Sequence, residues 1–431
     1  MLDHIGRDSE TLSERLVAEN FAVKRGELCI GGMPVTELAR EFGTPLYAYD
    51  ADLLRRNYRN LAESVSGFAE VAFSIKANPL PEIASIFVSE GAILEVASIG
   101  EFRKALEAGC QSSRVLFAGP GKGQQELAEA IAEGIGEIHL ESFEEAQHVD
   151  LIAKGLGRKV ECAIRINPVA TVQGGAMRMG GKPTAFGFDE EDLEETLTQL
   201  ASLDGIELVG VHLFAGTQIL KADVLLAQWR HGLNVASRVG RLLGKPIKTI
   251  DLGGGLGVPY HKGDKELDLD LVRAAIPELL DLKNNDEGIR HARVLLEPGR
   301  YLAASAGIYL MSVRAVKVSR GERFVIADGG MHHHLAASGN LGQVLKKDYP
   351  IVAAQHLHMD AETEQANLVG PLCTPLDMLG RSTALPQVVQ GDLIAVLQSG
   401  AYGASASPIN FLSHEAPAEV LIDAGCATRL R

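Results

Sequence analysis

The sequence predicts an α/β protein: a (β/α)8 barrel of the TIM type plus a smaller antiparallel β domain, a β-sandwich or barrel, formed by both chain ends. Three observations predict it. Short apolar, β-rich runs recur at 71–75, 93–97, 115–118, 137–140, 162–166, 208–213, 249–252 and 294–296, the first five about 22–24 residues apart. Helix-period segments such as Glu101-Phe-Arg-Lys-Ala-Leu-Glu-Ala and Gln125-Glu-Leu-Ala-Glu-Ala-Ile-Ala lie between them, the pattern of a parallel sheet. After about residue 305, runs at 308–319, 323–327, 368–369 and 393–398 follow without long helices.

Each element has its own justification. Residues 1–20 are polar and acidic and read as frayed or helical. Residues 21–36 alternate like a hairpin, with Gly26 near its turn, and this hairpin can join the β domain. Residues 35–42 are helical, and 45–50 form another strand. Eight strand–helix units between 71 and 297 approach the usual barrel length of about 250 residues. The boundaries are therefore a barrel at 47–300, flanked by a β domain of 1–46 and 301–431.

Composition excludes several classes. Apolar residues make up 46% and charged residues 23% of 431, as in an ordinary globular protein. A net charge of −15 argues against nucleic acid and against anionic membranes, which need concentrated Lys and Arg. No apolar run reaches the ~18 residues of a membrane span, and the first residues lack the plan of a signal peptide. Cys29, Cys110, Cys162, Cys373 and Cys426 are odd in number and scattered, without a Cys-x-x-Cys pair. They read as reduced thiols in a cytoplasm, with neither disulfide framework nor zinc site.

In such a barrel the reactive groups lie at the C-terminal ends of the strands. The first strand ends at Lys76, placed either to send its ammonium out past the rim or to bond covalently to something in a cleft. The second carries Glu95. The third leads to Gly-Pro-Gly-Lys122 and the fifth to Arg165-Ile-Asn-Pro168. The sixth ends in His212-Leu-Phe214-Ala-Gly-Thr217-Gln218, the seventh in Asp251-Leu-Gly253-Gly254-Gly255-Leu-Gly257, the eighth in Glu297-Pro-Gly299-Arg300. A triple glycine lets backbone N–H groups close on an anion that a Cβ would obstruct, though a tight turn uses the same residues. Its position after strand seven is the usual phosphate site of this barrel, and Arg300 adds a fixed charge. A lysine, a phosphate site and a carboxylate together suggest pyridoxal 5′-phosphate. Lys76 would form its Schiff base. Glu297 would keep the pyridine nitrogen protonated and so deepen the electron sink. The run His332-His333-His334 invites a metal, but neighbours on a strand face opposite ways and at most two converge. No metal site is expected, and His333 reads as a substrate-facing group near Asp328.

At this point the chain resembles the fold type III (alanine racemase-like barrel) pyridoxal-phosphate decarboxylases that act on ornithine, arginine and diaminopimelate. The motifs run in the family's order from Ser74-Ile-Lys-Ala-Asn-Pro79 to Ser399-Gly-Ala-Tyr-Gly403. The resemblance implies that Lys76 is the Schiff-base lysine and that Gly253, Gly254 and Gly255 form the phosphate loop, with Thr217 as a hydroxyl contact. It further implies Glu297 and Arg300 as pyridine and phosphate partners and Tyr402 near the cofactor, with Glu95, His212, Phe214 and Gly299 around it. Cys373 in Gly370-Pro-Leu-Cys-Thr-Pro-Leu-Asp377 matches the cysteine that protonates the substrate carbon after CO2 leaves. Asp328, and with it Arg300, Thr374 and Asp377, falls on the substrate side. In the family the cysteine segment enters the partner's active site, which implies a head-to-tail homodimer.

Two departures bear on the substrate. The family's ring-stacking histidine is Phe214 here, which stacks but cannot hydrogen-bond; His212 lies two residues earlier. The acid that follows the cysteine and reads a distal amine is Thr374, which argues against a free diamino acid. Gly-Gly-Met-His-His-His, Gly-Pro-Leu-Cys-Thr-Pro and Ser-Gly-Ala-Tyr-Gly are similar to a subgroup from natural-product and exopolysaccharide clusters, exosortase-associated decarboxylases among them. One type in it decarboxylates a glutamyl group tethered to an acyl-carrier protein in butirosin biosynthesis. The substrate expected is an L-amino acid, free or on a carrier, with Arg178 and Lys182 as candidates for a basic rim. Two alternatives are an amino-acid racemase that pairs the lysine with Tyr402, and a catalytically silent homologue.

Overall fold

The structure, a computed structural model, describes residues 11–169, 177–178 (backbone only), 183–214, 216–341, 347–357 and 362–431. They divide into two compact units. One comprises Asn57–Val258 and Glu266–Tyr301; the other comprises the N-terminal part through Arg56, Pro259–Lys265 and Leu302–Arg431.

In the first unit, eight parallel strands among the described residues close into a barrel. They are β1 (Glu70–Ser74), β2 (Ile93–Val96), β3 (Val115–Phe117), β4 (Glu137–Leu140), β5 (Val160–Asn167), β6 (Ile206–Leu213), β7 (Thr249–Asp251) and β8 (Arg293–Leu296). Closure comes from β4 pairing β5 (Ile138 with Cys162) and β8 pairing β1 (Leu295 with Glu70). Covered by helices outside and side chains inside, these strands read as nearly unbroken apolar runs. Helices begin where the sequence supplies a cap: Ser98 Oγ accepts the Glu101 N–H, and Ser142 Oγ accepts the Glu145 N–H. The helix Ala222–Leu243 stops at Gly244, whose φ of 65° suits glycine.

Strand alternation then determines what the barrel holds. Ala72, Ile93, Leu116 and Leu295 form an apolar layer inside it. Two residues further on, the same faces carry Ser74, Glu95 and Glu297, because side chains repeat with period two. The lining thus changes from hydrocarbon to charge towards the strands' C-terminal ends.

In the second unit, the 13-residue strand Gly307–Ser319 is the spine. Its first half pairs with Leu46–Asp50 on one side and Leu393–Val396 on the other; its second half pairs with Glu322–Ala327. Leu46–Asp50 also pairs with Ala418–Asp423, so both chain ends do build this sheet. Most pairings are antiparallel. Among the described residues two are parallel, that one and Glu322–Ala327 with Thr363–Val369. Its core includes Leu46, Ala48, Ile308, Leu310, Leu393, Ala395, Val420 and Ile422. The hairpin after residue 20 forms its own three-stranded sheet, joined to the unit by Leu28 N–H donating to the Ala354 carbonyl at 2.8 Å.

Candidate active site

Lys76 follows β1 in a short 3-10 turn, Ile75–Ala77. Its Nζ lies 2.9 and 3.1 Å from the two oxygens of Glu95, and its side chain is 46% exposed while that of Glu95 is 1% exposed. Ser74 Oγ donates to Glu95 Oε2 from the other side. The buried carboxylate therefore holds a reachable amine at the end of the strand.

The turn after β8 packs against this one. A Cβ on Gly299 would lie 2.8 Å from the Ala77 Cβ and 3.0 Å from the Ser74 carbonyl oxygen, so only glycine lets Glu297-Pro-Gly-Arg300 pass. Glu297 is buried, with Oε2 3.3 Å from His212 Nε2 and Oε1 without a hydrogen-bond partner. An orphaned, buried carboxylate oxygen is what a pyridinium N–H requires.

The glycine turn is equally constrained. A Cβ on Gly253, Gly254 or Gly255 would run into the carbonyl oxygens of Leu213, Glu297 and Gly216 respectively, and Gly253 and Gly255 have φ of 69° and 92°. Backbone packing alone thus requires glycine here. The Gly253 N–H donates to Asp251 Oδ1 at 2.8 Å, which leaves Gly254 and Gly255 as the loop amides for an anion. A Cβ on Gly253 would also meet the Phe214 ring at 3.1 Å, so Phe214 stands beside this turn. Thr217 sits in the short strand Gly216–Thr217, which pairs with Met177–Arg178. Of Arg178 only the backbone is described, and Lys182 lies outside the described residues.

Two groups in this unit have no role in the reading of the sequence, although Arg165 and Asp251 stand at strand ends named there. Arg165, at the end of β5, pairs with Glu141 at 2.6 Å and lies 4.7 Å from the Phe186 ring. His139 and Asp251 join His212 and Glu297 in a buried set whose ligand-type atoms lie within 4.8 Å of one another. Inward alternation along β4 and β7 was the signal available for the second group.

The second unit carries the other predicted residues. Cys373 is exposed, as is Cys426; Cys29, Cys110 and Cys162 are buried, and all five are free thiols. Asp377 accepts the N–H groups of Leu372 at 2.8 Å and Met331 at 2.6 Å, and a Cβ on Gly330 or Gly370 would strike its carboxylate. Its position is that of a staple between the cysteine segment and the histidine run. Asp328 accepts from the Thr44 hydroxyl at 2.6 Å and the Ser312 N–H at 2.9 Å. Thr374 Oγ1 accepts the Leu376 N–H at 3.3 Å. Tyr402 has φ of 54°, in the left-handed region that non-glycine residues avoid.

The histidine run is a turn, not the strand expected from its spacing, and all three rings are buried. His333 uses both nitrogens within the unit, 3.1 Å from the Tyr309 hydroxyl and 2.9 Å from the Glu415 carbonyl. Its ring centroid also lies 3.7 Å from that of His332, the two planes tilted by 39°, and no hydrogen bond links it to Asp328 among the described residues. Burial lowers His332 and His334 to about 3 and His333 to about 4. The folded chain keeps them neutral, while the unfolded chain takes up protons below about pH 6.5. Stability from these rings is therefore fully present above that value and falls as pH drops towards 4, by about 1.4 kcal/mol per pH unit per ring. Urea midpoints at pH 7.5 and 5.0 should differ accordingly, and His332→Asn should reduce the slope by about a third. Equal slopes in both proteins would mean that His332 titrates normally.

Comparison with known proteins accords with this geometry. The family described as pyridoxal-dependent decarboxylase, pyridoxal binding domain, matches residues 51–304. The chain is 37% identical over 389 residues to the L-glutamyl-[BtrI acyl-carrier protein] decarboxylase of Niallia circulans, covering 90% of each chain. It is 33% identical over 423 residues to the diaminopimelate decarboxylase of Zymomonas mobilis, covering 95% of each. The crystal structure of diaminopimelate decarboxylase from M. jannaschii superposes with a TM-score of 0.87 at 27% identity, over 96% of this chain and 95% of that one.

Proposed function

The chain belongs to the pyridoxal-dependent decarboxylase family, and we propose that within it the chain releases CO2 from an L-amino acid, a glutamyl group, carried on an acyl-carrier protein. Thr374 carries this reading. The family's distal-amine acid is missing at that position, and the relative at 37% identity is named for a carrier-bound glutamyl substrate. The racemase and silent-homologue alternatives are not favoured, because the relatives are named decarboxylases.

Pyridoxal phosphate, when bound, supplies the electron sink that stabilises negative charge at the substrate α-carbon. This chain's residues do the rest. Lys76 is the covalent attachment point, and Glu95, held by Ser74, positions Nζ and can take the proton it sheds. Glu297, buried and with one carboxylate oxygen unpartnered, would accept from the ring nitrogen. Gly254, Gly255, Thr217 and Arg300 would hold the phosphate, and Phe214, beside the glycine turn, would pack against the ring. Cys373 of the partner subunit delivers a proton to the α-carbon once CO2 has left. That role requires a head-to-tail homodimer. Asp377 and Asp328 shape the second unit's loops, which leaves Thr374 as the substrate-side residue of the cysteine segment.

The supply of such a substrate is a carrier-dependent biosynthetic sequence, and the five free thiols suit a cytoplasm. Among the described residues no helix is long and apolar enough to cross a membrane.

Turnover tests the proposal. CO2 release from a glutamyl-loaded carrier protein should exceed that from free glutamate, ornithine, lysine, arginine or diaminopimelate by at least about 100-fold in kcat/KM, since a missing polar contact in a site costs several kcal/mol. Comparable turnover of a free diamino acid would refute the carrier reading.

A further inference from the structure

Glu297 stands in a group of side chains whose other members the mechanism above does not use. His139, His212, Asp251 and Glu297 come from β4, β6, β7 and the end of β8, and all four are buried. The His139 ring stacks on His212 at 4.4 Å. Its Nε2 lies 3.2 Å from Glu137 Oε1 and 3.9 Å from Asp251 Oδ2. Asp251 Oδ1 is engaged by the Gly253 N–H, while Oδ2 is buried with no hydrogen-bond partner. The Glu297 N–H donates to the Gly253 carbonyl at 2.9 Å. One aspartate thus touches the glycine turn with one oxygen and faces the Glu297 cluster with the other.

Two carboxylates this close and away from water do not both ionise; one keeps a proton. Burial and the Glu297 charge push Asp251 well above its usual range. Burial would raise Glu297 too, but His212, His139 and the hydrogen bond from Asp251 together outweigh it and hold Glu297 low. His212 itself is lowered by burial to about 4 and stays a neutral ring at neutral pH.

We propose that Asp251 is the proton-holding partner of Glu297: a neutral acid that donates from Oδ2 towards Glu297 and accepts the Gly253 N–H at Oδ1. It is a positioning residue. It fixes Glu297 as an anion and ties the glycine turn to the same side chain. The inference rests on reading Glu297 as the partner of the ring nitrogen. The charged and titratable groups around the pair are Glu137 and His139 on β4, Arg165 on β5 and His212 on β6, with Arg293 3.7 Å from Glu137. As pH rises Asp251 loses its proton, two anions oppose each other, and cofactor binding weakens.

The test is pyridoxal phosphate affinity by fluorescence titration from pH 6 to 10, for the wild type, Asp251→Asn, Asp251→Ala and Glu297→Gln. Asparagine copies a protonated aspartate. Asp251→Asn should bind within about threefold of wild type at pH 7 and lose the alkaline weakening, while Asp251→Ala should bind about 10–100-fold more weakly, the usual effect of removing a supporting partner. If asparagine is as damaging as alanine, or keeps the alkaline limb, Asp251 is not the proton holder. Should Asp251→Ala fail to fold, the alkaline limb of Asp251→Asn still decides. Stoichiometric metal in the purified protein would also overturn the proposal, since two imidazoles and two carboxylates are a metal's ligand set. Unchanged affinity and spectrum in Glu297→Gln would instead remove the reading of Glu297 on which the inference rests.

Discussion

Replacing Lys76 with alanine is expected to abolish CO2 release, by at least about 1000-fold, and to remove the covalent bond to the cofactor. The expectation follows from position. Nζ is the amine at the end of β1, held by Glu95 and half exposed, while the carboxylate that holds it is buried. Its removal leaves Glu95 still hydrogen-bonded to Ser74, so the barrel end should survive. Borohydride reduction followed by intact mass gives the readout. Wild type should gain the mass of one reduced cofactor per chain and Lys76→Ala none. A variant that still fixes the cofactor covalently would show that another amine does the attaching. Lys122 is a poor substitute, because its Nζ is buried against Glu145 at 3.0 Å and the carbonyl oxygens of Gly119 and His139.

The barrel was legible because its strands are buried on both faces and read as apolar runs. The strand expected at 137–140 is β4 itself, and the other seven overlap their expected spans. The second unit was read less completely. Strands Met378–Pro386 and Ala418–Asp423 went unseen, since Arg381, Ser382, Glu419 and Asp423 stand among their apolar residues and break the run. The histidine run was misread for a related reason. Alternation is a rule for strands, but two glycines and the Asp377 staple make this segment a turn, and those contacts come from residues over forty positions away. The same holds for the cofactor end. Lys76, Glu297 and the glycines stand in motifs that adjoin strand ends. His139 stands in no motif and Asp251 only heads the glycine motif, and their meaning arises when four strands bring them within 4.8 Å of His212 and Glu297.

Cys373→Ala is expected to lower kcat by about 100–10,000-fold, the range for loss of a positioned proton donor. Its exposure in a single chain, unlike the buried Cys29, Cys110 and Cys162, suits a group that serves a second copy. Mixing decides the matter. Lys76→Ala and Cys373→Ala are each inactive for a different reason. If two chains share sites head to tail, a heterodimer of the two has one site missing both residues and one site fully intact. Dissociating and reassociating equal amounts makes half the dimers mixed, so activity should return to about a quarter of wild type, with no new contact required. A chain that builds its site from its own Lys76 and its own Cys373 gains nothing from the mixture, because every site then still lacks one of the two. Recovery therefore reports both the dimer and the subunit that supplies the proton, and zero recovery from mixed dimers verified by mass would assign Cys373 to its own chain's site or to none.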